Sequence, residues 1–325
     1  MVAGAAKSAE LTDEEWLKML RDIGERDGYF SSLGRDHSAV FVEDSHDVLF
    51  VGFETLFGIR SVSDSGMPVA FDVCEGRNWS HLTLITAKQD WFRDHRMFSY
   101  FDRLVDNGFF EEFDHVVFYG AGMCGYAAGA FSVAAPGAHV VMVAPQATLD
   151  RDRTEWDDRF PSTRRLDFTS RYGYAPDMLE AAERAVVIYD PDEAEDAMHA
   201  SLFNGPNISR FKYRRGRSGA IESDLRAMGL VSQLTRAAVE DRLDDAGLAR
   251  LMTARKRHVP YLRALLARVL GEDRPSLTKW LCKAVLAEQS IPRFKHHLEL
   301  AEKALAQGKD RQGNDHASDV EAKDA

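Results

Sequence analysis

HVVFYGAGMCGYAAGAF, residues 115–131, runs an apolar strand straight into a cluster of glycines and out again into a train of small residues. Val116–Tyr119 reads as a buried strand and Gly125–Val133 as a helix, with Gly120, Gly122 and Gly125 punctuating the turn between them. A turn this abrupt demands backbone conformations that glycine adopts without penalty, and small side chains let the departing helix lie close against the strand.

The pattern repeats outward from this point. Ala39–Val42, Val48–Phe53, His81–Ile85, Val140–Val143, Ala185–Tyr189 and Ile208–Tyr213 are short apolar runs ended by turn residues. The first two, separated by only five polar residues, are expected to pair as a hairpin, and 54–78 is expected to be loop. Asp94–Asn107 has helical periodicity, with Phe98, Phe101 and Val105 on one face. HVVMV and AVVIY lack polar alternation, as strands covered on both faces do. Strands alternating with helices predict an α/β fold: a doubly wound, mostly parallel sheet.

Four regions follow. Residues 1–30 hold an N-terminal amphipathic helix with Thr12 and Glu15 spaced as a capping box. Residues 31–222 form the α/β domain, 223–307 are helical, with breaks at Gly271 and Pro275, and 308–325 lack apolar content and read as a disordered tail.

The segment 115–131 resembles the nucleophile elbow of the α/β-hydrolase superfamily, most nearly bacterial esterase-like proteins in which a serine sits at the turn. Met123, Gly125, Tyr126, Ala127 and Ala128 match that pattern. The resemblance places Gly122 where the nucleophile belongs and Cys124 where the motif's closing glycine belongs. It also implies an acid after Ala185–Tyr189, where Asp190, Asp192 and Asp196 lie, and a histidine after the last strand. No histidine occurs between His199 and His258. With nucleophile and base both missing, the expectation is a non-catalytic, hydrolase-like binding protein. Cys124 with His199 and an aspartate is the alternative, a thiol hydrolase or acyltransferase.

A second alternative starts from Arg210, Lys212, Arg214, Arg215 and Arg217, five cations in eight residues of a chain whose net charge is −11. Arginine forks suit phosphate, sulfate or carboxylate, so Arg214, Arg215 and Arg217 are candidate anion ligands, for a nucleotide among others. The acidic balance speaks against a nucleic-acid partner. The three cysteines, Cys74, Cys124 and Cys282, form no CxxC pair, so neither a zinc site nor a disulfide framework is expected, and no metal or other cofactor is expected either. Absence of a long apolar run predicts a chain that neither crosses a membrane nor leaves the cytoplasm. The expected partners are a small anionic or acyl ligand, and a protein or second copy on the C-terminal helices.

Overall fold

A computed structural model describes residues 11–63, 65–163 and 165–308. Within them the chain divides into two compact units, the described residues up to 214 with 218–253, and residues 215–217 with the described residues from 254 on.

The first unit is built on one eight-stranded sheet of order β1-β2-β4-β3-β5-β6-β7-β8. After α1 (Asp13–Asp27) come β1 (Gly28–Ser32), β2 (His37–Val42) and β3 (Val48–Thr55). Next are α2 (Leu56–Val62), α3 (Val69–Cys74), β4 (Ser80–Thr86) and α4 (His95–Asp106), the last capped by Asp94. The centre is β5 (His115–Ala121), α5 (Met123–Phe131) and β6 (His139–Val143). Short helices α6 (Arg151–Thr154) and α7 (Ala175–Met178) lead to β7 (Arg184–Tyr189), α8 (Ala194–Leu202) and β8 (Ile208–Lys212). The unit closes with α9 (Ile221–Ala227), α10 (Leu230–Val239) and α11 (Asp245–Leu251).

From β4 to β8 every pairing is parallel, while β1, β2 and β4 pair antiparallel. Every residue of β6 is buried, as its unbroken apolar run required. β2 shows the two-residue period instead: Ala39 and Phe41 join the large aromatic core, while Val40 turns to Trp16, Leu20 and Ile85 beneath α1. The capping box at Thr12 and Glu15 forms.

Four expectations are corrected. The runs at 39–42 and 48–53 do not form a hairpin, because β4 inserts between β2 and β3. The stretch 54–78 is not all loop; Thr55 caps α2, and α3 packs on β4. Val105 is exposed although Phe101 is fully buried, since the helix face is narrower than the apolar pattern. The division after residue 222 falls inside the first unit, because α10 packs on α3, β5 and β6 and α11 on β8.

The second unit contains α12 (Val259–Gly271), α13 (Pro275–Glu288) and α14 (Pro292–Ala306), joined around Leu262, Leu266, Leu281 and Phe294. The breaks at Gly271 and Pro275 separate α12 from α13 as expected. Apart from Gly308, the tail at 308–325 lies outside the described residues. No described helix is long and apolar enough to cross a membrane.

At Gly120 a Cβ would overlap the Cys124 carbonyl group, so β5 and α5 can meet only over a glycine. At Gly122 a Cβ would meet nothing within 4 Å. Gly120→Ala is therefore expected to cost about 3 kcal/mol or more, and Gly122→Ala about 1–2 kcal/mol from backbone strain alone. Urea unfolding of the two variants beside the parent checks the order.

Candidate functional site

Gly122 caps α5 at φ 56° and ψ −124°, a region that side chains disfavour. Its N–H donates to the Val143 carbonyl at 2.8 Å, and its carbonyl accepts from the Tyr126 N–H at 3.0 Å. Those two bonds pin the turn from β5 into α5 against the end of β6. It is the strand–turn–helix geometry in which hydrolases strain a serine, built here with no side chain at its apex. The loops after β4 and β6 carry strain as well: Trp91, Phe92 and Ala144 have φ of 52°, 56° and 44°. Left-handed backbone at bulky aromatic residues persists only where the surroundings enforce it, and it gathers at functional sites.

A cavity of about 260 Å³ opens over Gly122 at the carboxyl ends of β3, β4, β5 and β6, where open α/β sheets bind ligands. Phe53, Ile59, Trp91, Met123 and Phe160 form its apolar wall. Gln146 is fixed there by accepting from the Trp91 indole N–H at 3.1 Å. Opposite stand three charged groups from distant parts of the chain, Glu54, Glu222 and Arg226.

The Arg226 guanidinium donates to Glu54 Oε1, and its Nε lies 3.3 Å from Glu222. Glu54 Oε2 accepts from the Val69 N–H at 2.8 Å. Burial dominates Glu54 and pushes it up to about 7 despite Arg226 beside it. Burial also raises Glu222. For Arg226 burial works toward deprotonation, but the two carboxylates outweigh it and hold the guanidinium charged. α9, which follows the last strand, thus brings a cation and a carboxylate to the region where a hydrolase carries its histidine.

Cys124 lines the same cavity, in the first turn of α5. Burial, with Glu222 and Glu54 adding to it, drives its thiol well above the ordinary range. Reactive cysteines sit in electropositive surroundings that lower the pKa; this one has the opposite setting. Tyr126, one turn on, points elsewhere, its hydroxyl bonded to the Tyr172 carbonyl.

The structure does not bring His199 to the cavity. Its ring is fully buried, Nδ1 accepts from the Ala147 N–H at 3.2 Å, and Nε2 therefore carries the proton given to Asp157 at 2.8 Å. Both nitrogens are used. Asp157 is shared with Arg159, which also holds Asp196 at 2.6 Å. Burial would raise the Asp157 carboxyl, but hydrogen bonds from His199 and Arg159 prevail and hold it well below its usual range. Asp190 is buried and raised by that burial, its Oδ1 accepting the Asp192 N–H at 2.9 Å in a turn of its own loop. Neither Asp190 nor Asp192 lines the cavity. Arg214, Arg215 and Arg217 are exposed, Arg215 at φ 63°, and none of them lines the cavity.

Strand order and elbow together decide the architecture. The fold is that of the α/β hydrolases. No family model matches the chain, and no curated protein matches it in sequence. Solved structures similar to it include an esterase from Pyrobaculum calidifontis, 13% identical over 74% of this chain and 97% of that one, with a TM-score of 0.43. MPT51 of Mycobacterium tuberculosis is 15% identical over 64% of this chain and 95% of that one, TM-score 0.42. The capsule O-acetyltransferase of Neisseria meningitidis serogroup A is 9% identical over 61% and 92%, TM-score 0.39. A shared fold carries no residue roles with it.

Sequence reasoning missed Glu54, Glu222, Arg226 and Asp157. Glu54 left a signal, a carboxylate ending the buried run VLFVGFE at a strand's carboxyl end. Glu222 and Arg226 show only helical i, i+4 spacing, and Asp157 left none.

Two outcomes follow from this geometry. Gly122→Ser is expected to fold, at a cost of about 1–3 kcal/mol, and to stay unlabelled by a fluorophosphonate, because no described residue lining the cavity is a histidine. Labelling of that variant, read by intact mass, would contradict it. Glu54 favours its protonated form in the folded state, so its contribution is complete below 4.5 and is lost as pH rises through about 7. Glu54→Gln should flatten the stability–pH curve across that window, as measured by urea unfolding.

Proposed function

We propose that this chain is a non-catalytic α/β-hydrolase-like protein that holds a small ligand in the elbow cavity. The observation that carries the reading is Gly122: the apex of the elbow is built, bonded and open to the cavity, and it offers no nucleophile. Two further features support it. The Cys124 thiol is buried and raised, and His199 is committed through both ring nitrogens to Ala147 and Asp157. Attack, proton relay and oxyanion stabilisation need an actor for each step, and the first two lack one.

The ligand class follows from the lining. Arg226 is already engaged by Glu54 and Glu222, so the charged side of the cavity offers no uncompensated cation. An anion gains little there. A neutral acyl compound, with its apolar part against Phe53, Ile59 and Phe160 and its carbonyl toward the first amides of α5, fits both walls. The volume limits it to a small molecule.

A thermal-shift panel of short-chain esters and the matching carboxylates tests this reading, with ester hydrolysis followed in parallel. A neutral ester should raise the midpoint of the parent and not that of Ile59→Trp, which fills the cavity, and hydrolysis should stay at the buffer rate. Turnover abolished by Cys124→Ala would overturn it in favour of the thiol enzyme.

A further inference from the structure

On the same unit, away from the elbow, a groove of about 1150 Å³ runs between α1, the end of β2, α3 and the residues entering β4. That exceeds the roughly 300–1,000 Å³ of small-molecule sites. Its floor is apolar: Met19 and Ile23 from α1, and Met67, Phe71 and Trp79 opposite, none fully buried. Methionine and aromatic side chains on one surface adapt to an inserted apolar face.

The rim has one sign. Among the described residues, Asp27, Glu43, Asp44, Asp72 and Glu75 supply five carboxylates against one lining cation, Arg26, which is bonded to Asp27 at 2.8 Å. Arg77 stands nearby, with its guanidinium over the Trp79 ring and donating to the Val73 carbonyl and to Ser232 at 2.7 Å. His46 lies 3.3 Å from Glu43. His81 belongs to the floor, packed edge-on against Phe71 at 4.6 Å, and burial pushes it down to about 4, so it brings no positive charge at neutral pH.

An apolar trough between acidic banks is complementary to a helix with one apolar and one basic face. A helix about 10 Å across needs an open trough of this size, and its lysines or arginines would meet carboxylates on both sides. We propose that this groove docks a basic amphipathic helix of a partner protein. The proposal is independent of the elbow cavity, with which the groove shares no lining residue.

The probe is a fluorescein-labelled 18-residue peptide of leucine and lysine in helical amphipathic order, with its leucine/glutamate counterpart as control, read by anisotropy at physiological salt. The parent protein should bind the lysine peptide saturably at one site and ignore the glutamate peptide. Glu43→Gln, Asp44→Asn and Glu75→Gln combined should weaken binding tenfold or more. A charge-matched variant, Asp152→Asn, Glu155→Gln and Glu180→Gln, removes three exposed carboxylates that do not line the groove and should bind as the parent does. Unchanged far-ultraviolet circular dichroism keeps the comparison free of folding effects. No binding, equal loss in both triple variants, or equal binding of the glutamate peptide would overturn the proposal. So would a concentration-dependent dimer of the parent that excludes the lysine peptide, which would assign the groove to a second copy.

Discussion

The constraint on which the site depends is the contact of two backbones, the end of β5 at Gly120 against the first turn of α5 at Cys124. No side chain fits between them. That contact forces the chain to reverse within a residue or two, which places Gly122 at positive φ and aims its absent side chain at the cavity. The small residues after it keep the helix against the sheet, and Trp91, itself at positive φ, lines the cavity beside it. A hydrolase uses this architecture to hold a serine under strain. Here the same architecture is kept with its apex empty, and glycine relieves the strain that a serine would store.

What occupies the surrounding space is as informative as what is missing. A largely buried arginine with two carboxylates occupies one side of the cavity. Such a cluster is costly to desolvate and contributes little net stability by itself. Its members come from β3 and α9, 172 residues apart in the Glu54–Arg226 bond, so it ties the last helices of the unit to the sheet's centre. The histidine and the aspartate that partners it have meanwhile been built into the packing behind Ala147, as a fixed hydrogen-bonded pair.

Much of the fold was legible because strand burial writes itself into sequence. HVVMV and AVVIY, without polar alternation, suit strands covered on both faces, and 115–131 resembles an elbow. Strand order was not legible in the same way: the pairing of β2 with β4 rather than β3 is decided by contacts distant in sequence, and nearness along the chain pointed to the wrong neighbour. The site divides likewise. The vacancy at Gly122 and the lack of a histidine between His199 and His258 are statements about residue identity, which a sequence carries in full. The Glu54–Arg226–Glu222 cluster and the Asp157–His199 pair are statements about convergence, and nothing local marks them. The unit boundary near residue 253 was missed for a related reason: helices packed on the sheet and helices packed on one another have the same composition.

The central claim is that the elbow binds without reacting, and covalent trapping tests it most directly. The parent protein and Cys124→Ala, incubated with excess fluorophosphonate and separately with a thiol-directed activated ester, are compared by intact mass and peptide mapping. The account predicts unmodified mass for both proteins with both reagents. A stoichiometric adduct on Cys124 of the parent, absent from the variant and formed together with ester turnover, would contradict it.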